Sequence, residues 1–383
     1  MFVYFDNSAT TKTLDKVNKE MLNMLENDFG NPSSLHKLGL DAEEKIKFTR
    51  SIAAKSIGAD ESEIYFTSGG TEANNLCVKG YLSRNKRQGK KIITDAIEHA
   101  SVAKQFDYLK EQGYNVVVIG FDKDKGFLYD ELEKEIDSDT ALVSVMHVNN
   151  ETGYIFDIKR IKEIIDKKNK NTVLHCDCVQ SYMKVPVKIK ELGADMITVS
   201  SHKINGPKGV GFAYIRKGLM VNPDIIGGGQ ESGLRNGTEN TVGIYGFGIA
   251  IKEHLENFED NIKKLNEIKE FMYNGLSKMD KVNINTDMAN SAPHILNVSF
   301  LNLRSEILLH TFEQFEIYVS SGSACSSNDA KKKKILEVMG YEKNVFDSAI
   351  RLSFGIFNDL SQAEYALSVI KRETELLRKR LRV

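Results

Sequence analysis

Lys203 is the residue whose setting most directly indicates chemistry. It stands in the stretch SSHKINGPKG at 200–209, between a histidine and a Gly-Pro turn, directly after the apolar run ADMITV. A buried amine is costly unless it is paired, neutral or covalently used. Two interpretations are therefore open from this stretch alone. Either the lysine ends a strand and reaches solvent, or its amine is a nucleophile held in a site.

Glycine and polar residues also follow other apolar, strand-like runs. Gly70 and Thr71 follow the run at 63–68, where the first backbone N–H groups of a helix would suit a phosphate. An ordinary Gly-Gly turn with a helix cap explains the same residues. His99 follows the run at 91–95 and would begin a helix, as a cap, a packed ring or a catalyst.

Three further runs add an amide, an acid and a hydroxyl. Asn150 follows the run at 141–148, and Asp177 ends the run at 172–177 with Gln180 close behind. Ser200 stands at the end of the run at 195–201, and His202 follows that run directly. The acid fits either a helix cap or a partner for a protonated ring nitrogen. Ligands of parallel α/β sheets bind beyond the carboxyl ends of the strands, so these groups would meet at one edge. Together they fit a phosphorylated pyridine aldehyde, pyridoxal 5′-phosphate, with the lysine as its Schiff-base partner.

The elements that must position these groups alternate between strand and helix. Several strand-like runs are continuous in Val and Ile, as is typical of strands covered on both faces, and a further run lies at 209–215. This pattern predicts an α/β fold with a mostly parallel central sheet. After about residue 255, helices and short strands predict a smaller α+β domain. We therefore expect a large cofactor-binding domain at 15–258 and a small domain formed by 1–14 and 259–383.

Composition excludes several classes of function. The 383 residues include 52 Lys plus Arg against 53 Asp plus Glu, a balance that argues against a nucleic-acid partner or an anionic membrane surface. No apolar run is long enough to span a bilayer, and the N-terminal residues do not resemble a secretory signal. The four cysteines are too few for a disulfide framework, and Cys176 and Cys178 lack the usual spacing of a zinc or redox pair. We expect a cytoplasmic protein with no metal site.

Nine short motifs, in order along nearly the whole chain, carry a resemblance to a known family. They are YFDNSATT, GNPSSLH, FTSGGTEANN, EHAS, NNETG, DCVQ, SSHKINGPKG, GGGQESGLRNGTEN and SSGSACSS. With this ordered set, the sequence resembles the cysteine desulfurases of the class V aminotransferase group. The resemblance implies the fold type I architecture of pyridoxal-phosphate-dependent transferases. The motif SSGSAC resembles that of the subgroup with a long catalytic loop.

The resemblance also implies which residues hold the cofactor. Each position is the one that matches the family motif in this sequence. Lys203 would attach the cofactor covalently, and His99 would stack on the ring and move protons. Asp177 would pair with the ring nitrogen, and Gln180 would contact the ring hydroxyl. The phosphate would be bound by Gly70, Thr71, Ser200, His202 and, from the second subunit of a homodimer, Thr238.

Substrate binding and sulfur chemistry are implied for three residues. Asn150 and Arg351 are placed to bind the substrate carboxylate, and Asn150 also lies at the cofactor. The two-pronged guanidinium group is suited to this task. Cys325 is the implied nucleophile, and its neighbours in SGSACSS are small residues with little packing value. Such a setting suits a reactive thiolate better than a structural cysteine.

The implied activity is conversion of L-cysteine to L-alanine, with a persulfide left on Cys325 and passed to an acceptor protein. An iron–sulfur scaffold, a tRNA thiolation enzyme and another thiocarrier are all compatible, because the chain stops at LLRKRLRV without the docking tail common in the family. A selenocysteine lyase or an aminotransferase of the same fold is the nearest alternative. A plain aminotransferase, however, needs no nucleophilic thiol. A non-catalytic sulfur-relay protein is the alternative from another class.

Overall fold

The structure, a computed structural model, describes residues 1–322 and 334–380. In these two ranges strands alternate with helices, as the sequence predicts. No helix within them has the length and apolar character needed to cross a bilayer. The strands are β1 (Val3–Tyr4), β2 (Ile64–Thr67), β3 (Lys91–Asp95), β4 (Asn115–Ile119), β5 (Phe121–Asp122), β6 (Gly126–Phe127), β7 (Thr140–Met146), β8 (Val173–Asp177), β9 (Met196–Ser200), β10 (Gly211–Ile215), β11 (Val282–Ile284), β12 (Ile295–Phe300), β13 (Ile317–Tyr318) and β14 (Ala349–Ser353).

The helices lie between these strands and cover the faces of the sheets. A wider helical turn at Leu76–Gly80 joins the third helix to the fourth, so that these form one continuous element. The helices are α1 (Asp15–Asn27), α2 (Lys37–Ile57), α3 (Gly70–Asn75), α4 (Tyr81–Arg84), α5 (Ala100–Glu111), α6 (Tyr129–Glu135), α7 (Ile158–Lys168), α8 (Ile189–Leu192), α9 (Thr241–Glu256), α10 (Phe258–Leu276), α11 (Ser305–Glu313), α12 (Ile335–Val338), α13 (Lys343–Phe346) and α14 (Leu360–Arg380).

A seven-stranded sheet organises the first part of the chain, in the order β2-β10-β9-β8-β7-β3-β4. Strand β10 runs antiparallel to both of its neighbours, and the remaining strands are parallel to one another. Every residue of β7, β8, β9 and β10 is buried, which explains why their sequences are continuously apolar rather than alternating. The predicted α/β fold with a mostly parallel central sheet is confirmed.

A second, three-stranded antiparallel sheet, β11-β12-β14, lies in the last part of the chain. Val3 and Phe5 pack in the same apolar cluster as residues of α10, β12 and α14, and β1 pairs with β13. The N-terminal residues therefore join the C-terminal part. Leu336 and Met339 instead pack in the cluster on the large sheet. The domain boundaries given above remain a prediction.

The glycine-rich loop at 226–240 is held against the large sheet by a buried ion pair. Arg50 donates from its two terminal nitrogens to Glu231, at 2.9 and 2.6 Å, and the Phe66 backbone N–H donates to the same carboxylate at 2.7 Å. Within the loop, Asn236 donates to the Ile225 carbonyl at 2.8 Å. A loop fixed in this way is a scaffold for the residues it carries rather than a plain linker.

Candidate active site

The carboxyl ends of β2, β3, β7, β8 and β9 meet at one edge of the large sheet and surround a cavity of ≈ 270 Å³. This is the edge at which the sequence predicts a ligand. Ten of the twelve residues singled out above line the cavity: Gly70, Thr71, His99, Asn150, Asp177, Gln180, Ser200, His202, Lys203 and Arg351.

Glycines form the end of the cavity nearest β2. Gly69 has φ 149°, a conformation that favours glycine, and directly precedes the first turn of α3. A Cβ on Gly70 would lie 2.8 Å from Val179 Cγ2, so a side chain does not fit there. The first backbone N–H groups of a helix have no partners within the helix. Gly70 and Thr71 also line a neighbouring cleft, so this end is open to a group as large as a phosphate.

His202 at this end is a neutral donor or acceptor rather than a cation. Burial, with the charges of Lys203, Lys184 and Lys208, lowers the pKa of His202 to about 4. Its Nδ1 lies 3.1 Å from the Thr10 hydroxyl. A phosphate bound beside the ring would raise this pKa, because an anion favours the protonated form.

Asp177 is buried at the end of β8, and two donors form hydrogen bonds to its carboxylate. Asn74 Nδ2 donates to Oδ2 at 2.8 Å, and the Val179 backbone N–H donates to Oδ1 at 2.9 Å. The Thr198 hydroxyl donates to Asn74 Oδ1 at 2.6 Å and so fixes the amide. The carboxylate therefore caps a turn and also lines the cavity, and the two interpretations of Asp177 are compatible. Asn74 lies in a motif quoted above but was not singled out.

His99 precedes α5 and caps it. Its Nδ1 accepts from the Ser101 backbone N–H at 3.1 Å and lies 2.8 Å from the Ser101 hydroxyl. A neutral ring with Nδ1 as acceptor carries its proton on Nε2. Asn74 donates to the same hydroxyl at 2.8 Å, which links His99 to Asp177 through two side chains. Ser101 is the last residue of the EHAS motif and, like Asn74, was not singled out.

Two further carboxyl groups are buried behind His99 and Asp177. Asp95 accepts from the Ile97 N–H at 2.9 Å, and Glu98 Oε2 accepts from the His99 N–H at 3.0 Å. Burial raises the pKa of Asp95 to about 7 and the pKa of Glu98 well above its ordinary value. Of these three carboxyl groups, Asp177 is the one that lines the cavity.

Lys203 is half-buried, and the N-terminal segment holds its amine. Nζ donates to the carbonyl oxygens of Ser8 and Ala9, at 2.6 and 2.8 Å. Gln180 Nε2 donates to the Ser8 carbonyl at 2.9 Å, and the Thr11 N–H donates to the carbonyl of the residue before the lysine at 3.0 Å. The segment containing Ser8 and Ala9 therefore forms one wall of the cavity, although almost 200 positions separate it from the lysine.

Arg351 projects from the second sheet and closes the opposite end of the cavity. Its side chain is 2% exposed and pairs with Asp6 Oδ1 at 2.6 Å. A second terminal nitrogen donates to the Asn150 carbonyl at 2.8 Å. The buried Nε has no hydrogen-bond partner among the described residues. A guanidinium group held in this way keeps a donor available for a carboxylate.

Two of the twelve residues do not line this cavity. Thr238 lines a different cleft of the same chain, together with Ser68 and Gly209. Cys325 lies outside the described residues. Ser320 exchanges backbone hydrogen bonds with Arg351, at 2.7 and 3.2 Å, so the chain leaves the described part beside the cavity.

The three cysteines that the structure describes are buried and free of disulfides. Burial strongly raises the pKa of the Cys77 thiol, which makes it a poor nucleophile. The sulfur atoms of Cys176 and Cys178 lie 3.8 Å apart in the core, and neither residue lines the cavity. All three side chains are part of the packed core.

Comparison with known proteins indicates the same class of protein as the fold and the residues around the cavity. The family model described as Aminotransferase class-V matches residues 3–365. A cysteine desulfurase IscS from Methanosarcina thermophila is 38% identical over 98% of this chain and 93% of its own length. Another, from Dictyoglomus turgidum, is 37% identical over 98% and 95%. The solved structure of a NifS-like protein superposes with a TM-score of 0.93 at 36% identity, covering 98% of this chain and 100% of that one.

The chain therefore belongs to the class-V aminotransferase family, with the fold of type I pyridoxal-phosphate enzymes. Within that family it is a pyridoxal-phosphate-dependent cysteine desulfurase, since relatives of that kind match it over nearly its full length. The resemblance found in the sequence, the enzyme class and the cofactor are confirmed. The roles of the individual residues remain predictions.

Proposed function

We propose that the cavity at the carboxyl edge of the large sheet is the active site, where L-cysteine is converted to L-alanine and its sulfur is left on Cys325 as a persulfide. One observation carries this proposal. The ends of five strands bring a glycine-lined phosphate end, a buried acid and a lysine around one cavity, and Arg351 adds a carboxylate-binding group from the second sheet. These are the groups that an amino-acid substrate and a phosphorylated pyridine require.

The residues present fit pyridoxal 5′-phosphate. Gly70 and Thr71, with Ser200 and His202, would hold the phosphate at the end where a Cβ has no room. The bound cofactor supplies an aldehyde that captures amino groups and a ring that withdraws electrons. Asp177, whose carboxylate accepts from Asn74 and the Val179 N–H, would pair with the ring nitrogen and favour its protonated form. The remaining roles of His99, Gln180 and Lys203 are those set out above.

The chain's own residues account for the rest of the reaction. Arg351 and Asn150 would orient the substrate carboxylate, and the Lys203 amine would move the proton at the α carbon. The Cys325 thiolate then attacks the substrate sulfur. The carbon–sulfur bond breaks with its electron pair left on carbon, and a proton added there gives L-alanine. The sulfur atom stays on Cys325, so one L-cysteine and one thiol give one L-alanine and one persulfide.

An assay with purified protein, pyridoxal 5′-phosphate, L-cysteine and a reductant tests this function. We expect alanine and sulfide in equal amounts, because the reductant releases the sulfur from the persulfide. A keto acid in place of alanine would support the aminotransferase alternative, and no product would support the non-catalytic one. Activity with selenocysteine alone would support the selenocysteine lyase.

Asp177→Ala should slow α-proton removal by two orders of magnitude or more, while keeping part of the cofactor affinity. A neutral pyridine is a poorer electron sink, and each lost factor of ten corresponds to about 1.4 kcal/mol of barrier. The measurement is exchange of the α proton of L-alanine with solvent deuterium. Asp195→Asn is the matched control, since Asp195 is a buried carboxylate at the opposite end of the sheet, paired with Arg216. Exchange at the wild-type rate by Asp177→Ala would exclude the ring-nitrogen role.

We also propose that the enzyme is a homodimer in which Thr238 completes the phosphate site of the partner subunit. Exposed apolar side chains support the presence of a surface that a second copy of the chain covers. Phe29 is 72% exposed, Leu35 95% and Ile226 93%, and their segments border one cleft, lined by residues 32–33 and 228–232. Thr238 belongs to the same glycine-rich loop and does not line its own chain's main cavity. A second copy seated on this face would cover these side chains.

Thr238→Val should weaken binding of pyridoxal 5′-phosphate about tenfold, the effect of one lost hydrogen bond to a charged group. Sedimentation should give the mass of two chains. Coexpression of Thr238→Val with Lys203→Ala chains then distinguishes the subunits. If Thr238 acts across the interface, a mixed dimer has one complete site and recovers wild-type affinity there. If mixed dimers recover no tight site, Thr238 does not act in the partner subunit.

The proposed chemistry also bears on the cellular compartment of the enzyme and on the protein that accepts its sulfur. A persulfide carrier needs reduced thiols, and the cysteines that the structure describes are free, which supports the cytoplasm as the compartment. An iron–sulfur scaffold or a tRNA thiolation enzyme would accept the sulfur from Cys325. Transfer of labelled sulfur from the loaded enzyme to each purified candidate protein would distinguish them.

A further inference from the structure

His294 is a fully buried histidine that the proposed mechanism does not use. It directly precedes β12 of the second sheet. Its Nε2 lies 3.4 Å from Gln180 Oε1, whereas its Nδ1 has no hydrogen-bond partner among the described residues. Gln180 lines the cavity and His294 does not, so the imidazole stands behind a side chain of the cofactor site.

The Ser8 carbonyl determines which way round the Gln180 amide lies. A carbonyl oxygen can only accept, so the amide nitrogen must face it, and Gln180 Nε2 donates to it at 2.9 Å. Lys203 Nζ donates to the same oxygen at 2.6 Å, which occupies its second lone pair. The amide oxygen is thereby turned towards His294. The amide nitrogen carries a second hydrogen that the Ser8 carbonyl does not use.

An amide oxygen that faces the imidazole fixes the tautomer of His294. That oxygen is an acceptor only, so the ring nitrogen beside it must carry a proton and donate it. Burial, with nearby positive charges, lowers the pKa of His294 well below its ordinary value, so the ring is neutral and its single proton is the one on Nε2. His294 therefore donates to Gln180 and does not accept from it.

Consecutive residues at the end of β14 hold both partners of the amide. The Phe354 backbone N–H donates to the His294 carbonyl at 2.8 Å, and the Ser8 backbone N–H donates to the Ser353 hydroxyl at 2.9 Å. The second sheet therefore fixes His294 and Ser8 relative to each other. Gln180, which follows β8 of the large sheet, has its amide held between them. An amide held at both its nitrogen and its oxygen keeps one orientation.

We propose that His294 is a positioning residue of the cofactor site: its Nε2–H, donated to Gln180 Oε1, holds the amide so that its nitrogen, and not its oxygen, is offered to the hydroxyl group of the bound pyridine ring. The inference rests on the proposed role of Gln180. His294 acts through that amide rather than by touching the cofactor.

Loss of the imidazole donor should change the charge on the cofactor ring. The buried amide oxygen of Gln180 would lose its partner, and the amide could then turn that oxygen towards the ring hydroxyl. An N–H donor favours negative charge on the ring oxygen, whereas an amide oxygen disfavours it. The bound cofactor should therefore hold its proton to a higher pH and be held less tightly.

The experiment compares His294→Met with His294→Gln as holoenzymes, since the two side chains are of similar length and only glutamine has a donor. A pH titration of the cofactor absorbance reports the charge on the ring, and dilution gives the rate of cofactor release. We expect His294→Met to shift the titration by about one unit towards higher pH and to speed release about tenfold. His294→Gln should keep the wild-type titration and release rate. His254→Met is the matched control, because His254 is also buried but its Nε2 lies 3.1 Å from Asn205, outside the cavity.

A double variant separates positioning from a general loss of structure. If His294 acts through Gln180, Gln180→Met alone should shift the titration in the same direction, and adding His294→Met to it should change nothing further. His294→Phe keeps an aromatic ring without a donor and should repeat the result of His294→Met. Melting temperatures verify that each variant is folded.

Other outcomes have distinct meanings. Additive effects of the two substitutions, or a shift in His294→Gln as large as in His294→Met, would overturn the role of His294 and leave the proposed function intact. Gln180→Met with the wild-type titration and release rate would show that the contact of Gln180 with the ring hydroxyl is itself wrong, and the inference with it.

Discussion

Replacement of Lys203 with alanine should abolish turnover of L-cysteine and remove the covalent link to the cofactor. Lys203 is the lysine that lines the cavity among the described residues, and its Nζ is held there by the Ser8 and Ala9 carbonyls at 2.6 and 2.8 Å. If Lys203 has its proposed roles, the variant loses both the attachment point of the cofactor and the base that moves the α proton. We expect turnover to fall by about a thousandfold or more.

Two measurements check this expectation. Borohydride should fix the cofactor to the wild-type chain, and the mass of the modified peptide should place it on Lys203. The alanine variant should carry no such modification. Lys217→Ala, an exposed lysine beyond the end of β10, is the control and should keep both the modification and the rate. A Lys203→Ala enzyme with the wild-type rate would contradict the assignment.

Replacement of Cys325 with serine should stop alanine formation but leave cofactor binding unchanged. The cofactor cavity is built from the ends of strands in the large sheet, whereas Cys325 follows Gly322 outside the described residues. Ser320 is paired with Arg351, which anchors the approach to Cys325 beside the proposed carboxylate group. Serine keeps the size of cysteine but is a far weaker nucleophile at neutral pH. We expect alanine formation to fall by about three orders of magnitude.

A titration with L-cysteine, followed by the cofactor absorbance, separates binding from chemistry in this variant. The absorbance change on adding L-cysteine should persist, with an affinity close to that of the wild type. Cys77→Ser is the control, because Cys77 is fully buried in the core. Normal alanine production by Cys325→Ser would favour a lyase that releases sulfide directly.

The sequence was sufficient to predict the central sheet and the edge that carries the site. Strand runs such as those of β7 and β8 are continuous because both faces are buried, and this signal is local. The ligand edge follows from parallel topology alone. For this reason Asp177 and Lys203, each at a strand end, could be singled out without a structure.

What the sequence did not indicate depends on contacts between distant segments. Ser8 holds the Lys203 amine across almost 200 positions, and Asp6 neutralises Arg351 across 345. Neither partner can be found from periodicity, which reports only nearby residues. Asn74 and Ser101, which connect His99 to Asp177, stand in quoted motifs, but the motifs do not show that the two side chains meet.

The most direct test of this account is to follow the sulfur atom. L-Cysteine labelled with a heavy sulfur isotope is mixed with the purified enzyme in the absence of reductant, and alanine and protein-bound sulfur are counted together. We expect one labelled sulfur on the peptide containing Cys325 for each alanine formed in the first turnover. Alanine formed with all of the label in free sulfide, and none on Cys325, would contradict it.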